Sequence, residues 1–220
     1  MKRIVFIVEG DTEIIFIQKC VMPYLYGKGF SNPMHAQKML TNRKMNKKGG
    51  NVGFEYLKNE ICRVAATKNV LITTFLDFFR LPTDFPGYTI DSYKISEIEQ
   101  AVKENISEIM DTTCFLPYIQ RHEIESLMYT SMDGFDIVVD DDVSLKKLQR
   151  IIDQYPNPED INGGAETAPS KRLLNIFPYE KTADAELILE VLEVEDIRAK
   201  CPRFDAWMEK LEEGLRNDRF

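Results

Sequence analysis

Four acidic residues stand where a predicted β-strand gives way to the segment after it. Glu9 ends the apolar run 2–8, Asp77 ends the run 69–76, and Glu123 and Glu125 follow the run 114–119. Glu13 comes four residues after Glu9, in the first turn of the helix predicted to begin near Asp11, and can point back over the same rim. In an open parallel sheet, ligands bind just outside the carboxyl ends of the strands. Carboxylates gathered there repel one another. A divalent cation relieves the repulsion, and an all-oxygen donor set selects Mg2+ or Mn2+. Each acid also has a plainer use. Asp11, the expected N-cap, and Glu13 suit a helix N-terminus, where negative charge gains about 0.3–1 kcal/mol, and Asp77 suits a turn. Separate caps and one metal site both remain open at this point.

Other groups offer weaker chemistry. His122 beside Glu123 could assist proton transfer or simply open a helix, and His35 is assigned nothing. Asp140, Asp141 and Asp142 read as a solvated turn with a helix cap. The stretch 162–172 has paired glycines, Thr167, Ser170, Lys171 and Arg172 just before a short predicted helix. That N-terminus could hold a phosphate, or the stretch is a flexible loop with an ordinary cap. Its order of glycine and lysine is not that of a Walker A loop. Cys20, Cys62, Cys114 and Cys201 lack zinc-ligand or redox spacing and read as reduced core thiols of a cytoplasmic protein. There is no nucleophilic Ser or Cys signature and no Rossmann glycine pattern.

Placing acids on one rim requires a sheet, and the chain alternates accordingly. Strands are predicted at 2–8, 34–40, 69–76 and 114–119, with helices at 12–26, 54–66 and 95–110 between them. This order is the signature of a parallel sheet, whose right-handed crossovers put helices on both faces. Residues 78–94, with Pro82, Pro86 and Gly87, read as a long loop or lid. Helices follow at 122–131, 143–155, 170–176, 184–194 and 204–215. The expected fold is α/β: a core over 1–178 and a helical C-terminal extension over 179–220 packed on it. The 220 residues need no disulfide or metal to fold. No apolar run nears the roughly 20 residues that span a bilayer, so no membrane is expected.

The net charge of −8 is unevenly spread: residues 1–70 carry +7 and residues 71–220 carry −15. Arg43, Lys44, Lys47 and Lys48, next to Gly49 and Gly50, focus the basic part. Such a loop can neutralise phosphates or serve as solvated surface. The acidic bulk argues against broad coating of nucleic acid and leaves room for a narrow basic channel.

The segment Val8-Glu9-Gly10-Asp11-Thr12-Glu13 resembles the glutamate motif of TOPRIM domains in the form used by OLD-type nucleases. Together with Leu76-Asp77-Phe78-Phe79, Leu81-Pro82, Asp84-Phe85-Pro86-Gly87, the run 120–127 and the run 166–172, it is similar to a bacterial TOPRIM-like family, domain of unknown function 4276, over residues 3–178. The resemblance implies a TOPRIM-like parallel-sheet core and divalent-metal phosphodiester chemistry on DNA or RNA. It also implies an ATPase partner protein. Glu9 and Glu13 match the acids of the first motif, and Asp77 matches the first acid of the Asp-x-Asp motif. Glu125 or Glu123 matches the later acid, and Lys171 the lysine near the end of the core. The second acid of Asp-x-Asp is Phe79 here, which bears on whether a second ion is held.

The leading expectation is a Mg2+- or Mn2+-dependent nuclease or nuclease-like effector. Glu9, Glu13, Asp77, Glu123 and Glu125 are its candidate ion ligands, and Glu9, Glu13, Asp77 and Lys171 its candidate catalytic groups. The alternative is a catalytically inactive TOPRIM-like module that binds an ATPase or nucleic acid. A receiver-like phosphoacceptor ranks last, because Gly10 splits the acidic pair such a domain carries after its first strand. Replacing Arg43, Lys44, Lys47 and Lys48 with Gln should lower the salt slope of nucleic-acid binding by about 0.7–0.9 for each phosphate no longer neutralised. Titration of binding across salt concentrations checks this, and an unchanged slope makes the loop plain solvated surface.

Overall fold

A strand buried on both faces needs apolar residues throughout, and the N-terminal run meets that demand. The computed structural model describes residues 2–42, 47–48, 53–161, 164 and 166–216, with backbone alone at 40–42 and 47–48. Strand β1 (Arg3–Val8) leads into a helix made of α1 (Asp11–Phe16), a π-helical turn (Ile17–Val21) and α2 (Met22–Gly27). Next come β2 (Met34–Lys38), the ribbon β3 (Leu40–Asn42) and β4 (Lys47–Lys48), α3 (Phe54–Ala65) and β5 (Val70–Asp77). Helix α4 (Ile95–Ile106) and the two short strands β6 (Phe115–Leu116) and β7 (Ile119–Gln120) complete the α/β part. The rest is helical: α5 (Glu125–Met128), α6 (Phe135–Val138), α7 (Asp142–Gln154), α8 (Pro169–Leu174), α9 (Ala183–Glu190), α10 (Val194–Lys200) and α11 (Pro202–Arg216).

The main sheet has the order β2-β1-β5-β6, with β7 also on β5, and every pairing in it is parallel. Side chains alternate across it. Ile4, Phe6, Val8, Leu71 and Phe75 face the first helix and the C-terminal helices. Val5, Ile7, Val70, Ile72 and Leu76 face α3 and α4. The predicted parallel sheet with helices on both faces and a helical C-terminal part is therefore the observed architecture. Trp207 of α11 ties the last helices to the sheet. Its indole N–H donates to Thr73 Oγ1 at 2.9 Å, and its ring packs on Phe6, Phe75, Tyr118 and Phe204.

Several elements differ from the sequence expectation. Asp11 is not the N-cap. Gly10 is, and it makes no side-chain cap, while Asp11 pairs with Lys38 Nζ at 2.5 Å. The helix expected over 95–110 stops at Ile106, and that over 122–131 shrinks to Glu125–Met128. The one expected over 184–194 ends at Glu190, and a separate α10 follows. Asp141, as expected, caps its helix by accepting from the Ser144 N–H at 2.8 Å. All four cysteines are free, but Cys62 is exposed and Cys114 half-buried, so only Cys20 and Cys201 are core thiols.

The strand over 114–119 is split at Pro117, which has no N–H to give a ladder. Thr74 repairs the gap: its hydroxyl accepts from the Tyr118 N–H at 2.8 Å and donates to the Tyr118 carbonyl at 2.9 Å. Thr74→Val keeps the shape and strands the Tyr118 N–H in the interior, while the Tyr118 carbonyl keeps the Leu76 N–H at 3.3 Å. It should cost about 1–3 kcal/mol, a fall in Tm of roughly 2–4 °C per kcal/mol for a chain of this size. Thermal unfolding of the variant measures it.

Candidate functional site

The pairing of β1 with β5 sets the site. Val8 lies opposite Phe75, so β5 runs two residues past the end of β1, and Glu9 and Asp77 leave the sheet at the same rim. Both are buried, at 9% and 7% exposure. Asp77 also caps the single 3-10 turn that follows it, accepting from the Phe79 N–H at 2.8 Å, and this turn delivers Arg80 to the rim. Glu13, at the third position of α1, turns back to the backbone N–H of Gly10, the acidic half of a capping box. Gly10 leaves room for it, since a Cβ there would lie 2.7 Å from Glu13 Oε2. Glu9, Glu13, Asp77, Arg80, Lys181 and Thr182 line one cavity of about 230 Å³.

A second cavity of about 210 Å³ shares Arg80 and Lys181 with the first and adds Phe79, Glu123, Lys171 and Tyr179. Glu123 accepts from the Ser170 N–H at 3.0 Å and the Ser170 hydroxyl at 2.6 Å. The N-terminus of α8, which the sequence left as either a phosphate site or an ordinary capped loop, is filled by the chain's own carboxylate. Glu125 is fully buried. One oxygen pairs with Lys181 Nζ at 3.0 Å and accepts from the Tyr179 hydroxyl at 3.5 Å, while Oε2 has no hydrogen-bond partner.

Burial dominates the electrostatics. It pushes Glu9 up to about 8, aided by the charges of Asp77 and Glu13. It pushes Asp77 up to about 7 against the pull of the Phe79 N–H, with Glu123 and Glu13 adding to the rise. Glu13 and Glu125 are raised by burial as well, and Lys181 lowers both. Burial opposes the charge on Lys181, yet Glu125, Glu123 and Glu13 together hold its ammonium above the ordinary range. The cluster thus retains a proton at neutral pH, the condition of carboxylates that repel one another in a desolvated place.

The structure brings Glu9, Glu13 and Asp77 into one cavity and Glu123 with Lys171 into the next, with Glu125 behind Lys181. Among the described residues, no group of three or more His, Cys, Asp or Glu stands in metal-holding geometry. His122 lines neither cavity. Burial and the Arg121 charge lower it to about 4, so it is neutral near pH 7. Arg43 and Lys44 lie outside the described residues, as do the side chains of Lys47 and Lys48 in β4. Sequence reasoning missed Arg80 and Lys181. Arg80 had a local signal, three residues after Asp77, whereas Lys181 had none, because its partner Glu125 is more than fifty residues away in the chain.

A carboxyl that titrates near 8 when folded, against an ordinary 4.5, favours the fold in its neutral form. That contribution is complete below pH 4.5 and is lost as pH rises through 8. Glu9→Gln stays neutral throughout. In chelator, its Tm relative to wild type should therefore climb steadily between about pH 5 and pH 8. Paired thermal melts across that range check this, and a difference independent of pH contradicts a desolvated Glu9.

No curated protein matches the chain. Among solved structures it is similar to the C-terminal region of the OLD protein of Xanthomonas campestris pv. campestris, with 13% identity and a TM-score of 0.48, over 99% of this chain and 98% of that one. Residues 8–212 match the family described as Domain of unknown function (DUF4276), and the chain belongs to that family.

Proposed function

We propose that the protein is a divalent-metal-dependent phosphodiesterase acting on nucleic acid, a TOPRIM-like nuclease or nuclease-like effector. The observation that carries this reading is the pair Glu9 and Asp77, buried at the ends of adjacent parallel strands and sharing a cavity with Glu13, Arg80 and Lys181. The donor set fits Mg2+ or Mn2+: hard oxygens whose repulsion burial intensifies. Glu9, Glu13 and Asp77 would hold the ion, and Glu123 and Glu125 would serve as anchors for Ser170 and Lys181. When bound, the ion supplies Lewis acidity toward a phosphoryl oxygen and the attacking water.

The chain's own residues do the rest. Lys181, fixed by Glu125, is placed to balance negative charge on a phosphate, and Arg80 offers a planar fork from the turn after β5. Lys171 lines the adjoining cavity and extends the cationic border. Arg43, Lys44, Lys47 and Lys48 would guide the backbone toward the rim. Among the described residues, no helix is long and apolar enough to cross a membrane.

Phe79 favours a second reading, since it stands where the resemblance expects another acid: an inactive module that binds an ATPase or nucleic acid. Cleavage separates the two. With Mn2+ or Mg2+, the purified chain should cut DNA or RNA, and Asp77→Asn should fall to background. Mn2+ at about a hundredfold excess over Kd should stabilise the wild type by about 2.7 kcal/mol, roughly 5–10 °C in Tm. The gain should be larger at pH 8 than at pH 6, because the carboxyl protons must leave first. Equal stabilisation of wild type and Asp77→Asn overturns the ion site.

A further inference from the structure

Phe79 is an anomaly in chemical terms. It is 49% exposed, although it immediately precedes Arg80 on the rim of a charged site. Its backbone is not loose. Its N–H is held by Asp77 at 2.8 Å, and the segment after it is anchored by Leu81 and Phe85, both buried. The ring borders two cavities. On one side are Arg80, Leu81, Pro82 and Thr83 around about 540 Å³. On the other are Arg80, Lys171 and Lys181 with Glu123 around about 210 Å³. Glu123 sits among them with Oε2 taken up by the Ser170 N–H and hydroxyl, and its charge is set against the three cations.

An exposed aromatic ring on an anchored turn, flanked by three cations, matches the way unpaired nucleotides are bound: a base stacks on the ring while neighbouring phosphates meet the cations. A paired base offers no free face to such a ring, and an isolated phosphate has no use for it. We propose that Phe79 is a stacking platform for an unpaired nucleobase, with Arg80, Lys171 and Lys181 taking the adjacent phosphates, so that the site selects single-stranded over duplex nucleic acid. This rests on the nucleic-acid part of the reading above and not on cleavage. The residue that displaces an acid from the motif thereby acquires a role in choosing the substrate.

The test is binding of short oligonucleotides carrying a central 2-aminopurine, as single-stranded DNA and as RNA, to the full chain in Ca2+. An abasic strand of equal length and a blunt duplex serve as comparisons. The wild type should bind base-bearing single strands more tightly than either comparison, and should quench the 2-aminopurine. Phe79→Ala should weaken that binding roughly 5- to 150-fold, the worth of one base–aromatic stack, and abolish the quench. Its affinity for the abasic strand and its Tm should not change. Phe79→Trp should keep both binding and quench, and the DNA and RNA arms report which sugar is accepted. Equal binding of base-bearing and abasic strands, duplex bound as tightly as single strand, or an unaffected Phe79→Ala each overturns the proposal. Stacking without any metal-dependent cleavage leaves it standing while the nuclease reading falls. Cleavage indifferent to bases and to Phe79→Ala does the reverse.

Discussion

Two parallel strands at the centre of the sheet end in carboxylates, and burial of both strands forces those carboxylates to share a poorly solvated rim. Glu9 and Asp77 repel each other there, and each is raised far above the ordinary range of its kind. Neither can move away without breaking the β1–β5 register, which is locked by apolar residues on both faces. Much of the surrounding architecture is a response to that constraint. Arg80 comes in on the turn that Asp77 itself caps, Lys181 comes in from the far side, and Glu13 is turned back by the open space at Gly10.

The C-terminal helical part completes the site and does more than cover a flank. Lys181 lies just before α9, and Ser170 at the start of α8 latches onto Glu123. Trp207 reaches the middle of β5 through Thr73. The same strand that ends in Asp77 is thus held by α11 at its centre and by Tyr118 through Thr74 beside it. The fully buried Glu125 is the least favourable piece: a desolvated carboxyl satisfied by one ammonium and one tyrosine hydroxyl, with an oxygen left unpaired. Such an arrangement is poor for stability, and it makes sense as a mount that fixes Lys181.

The electrostatic balance of the rim also explains how an aromatic ring can occupy the Phe79 position. Four acids, Glu9, Asp11, Glu13 and Asp77, already line the first cavity, and two cations serve both cavities. A further carboxylate beside Asp77 would deepen repulsion that burial already makes severe. An apolar ring adds no charge.

Much of this was legible in the sequence. Continuous β-branched runs at 2–8 and 69–76 specify buried parallel strands, because only a strand covered on both faces lacks polar alternation. An acid directly after each run then has to emerge at a strand end, so Glu9 and Asp77 could be named together. Local chemistry also gave the Asp141 cap and the break at Pro117. Other features depended on which segments meet. Lys181 becomes part of the site only because the helical part folds back over β1 and β5. Glu123 became an anchor because Ser170 arrived beside it, and the same pairing closed the helix N-terminus that the sequence left open. Asp11 lost its cap role to a pairing with Lys38 across the β1–β2 crossover. Periodicity and turn residues report the few neighbours along the chain, whereas the charge partners of a buried group are fixed by long-range packing.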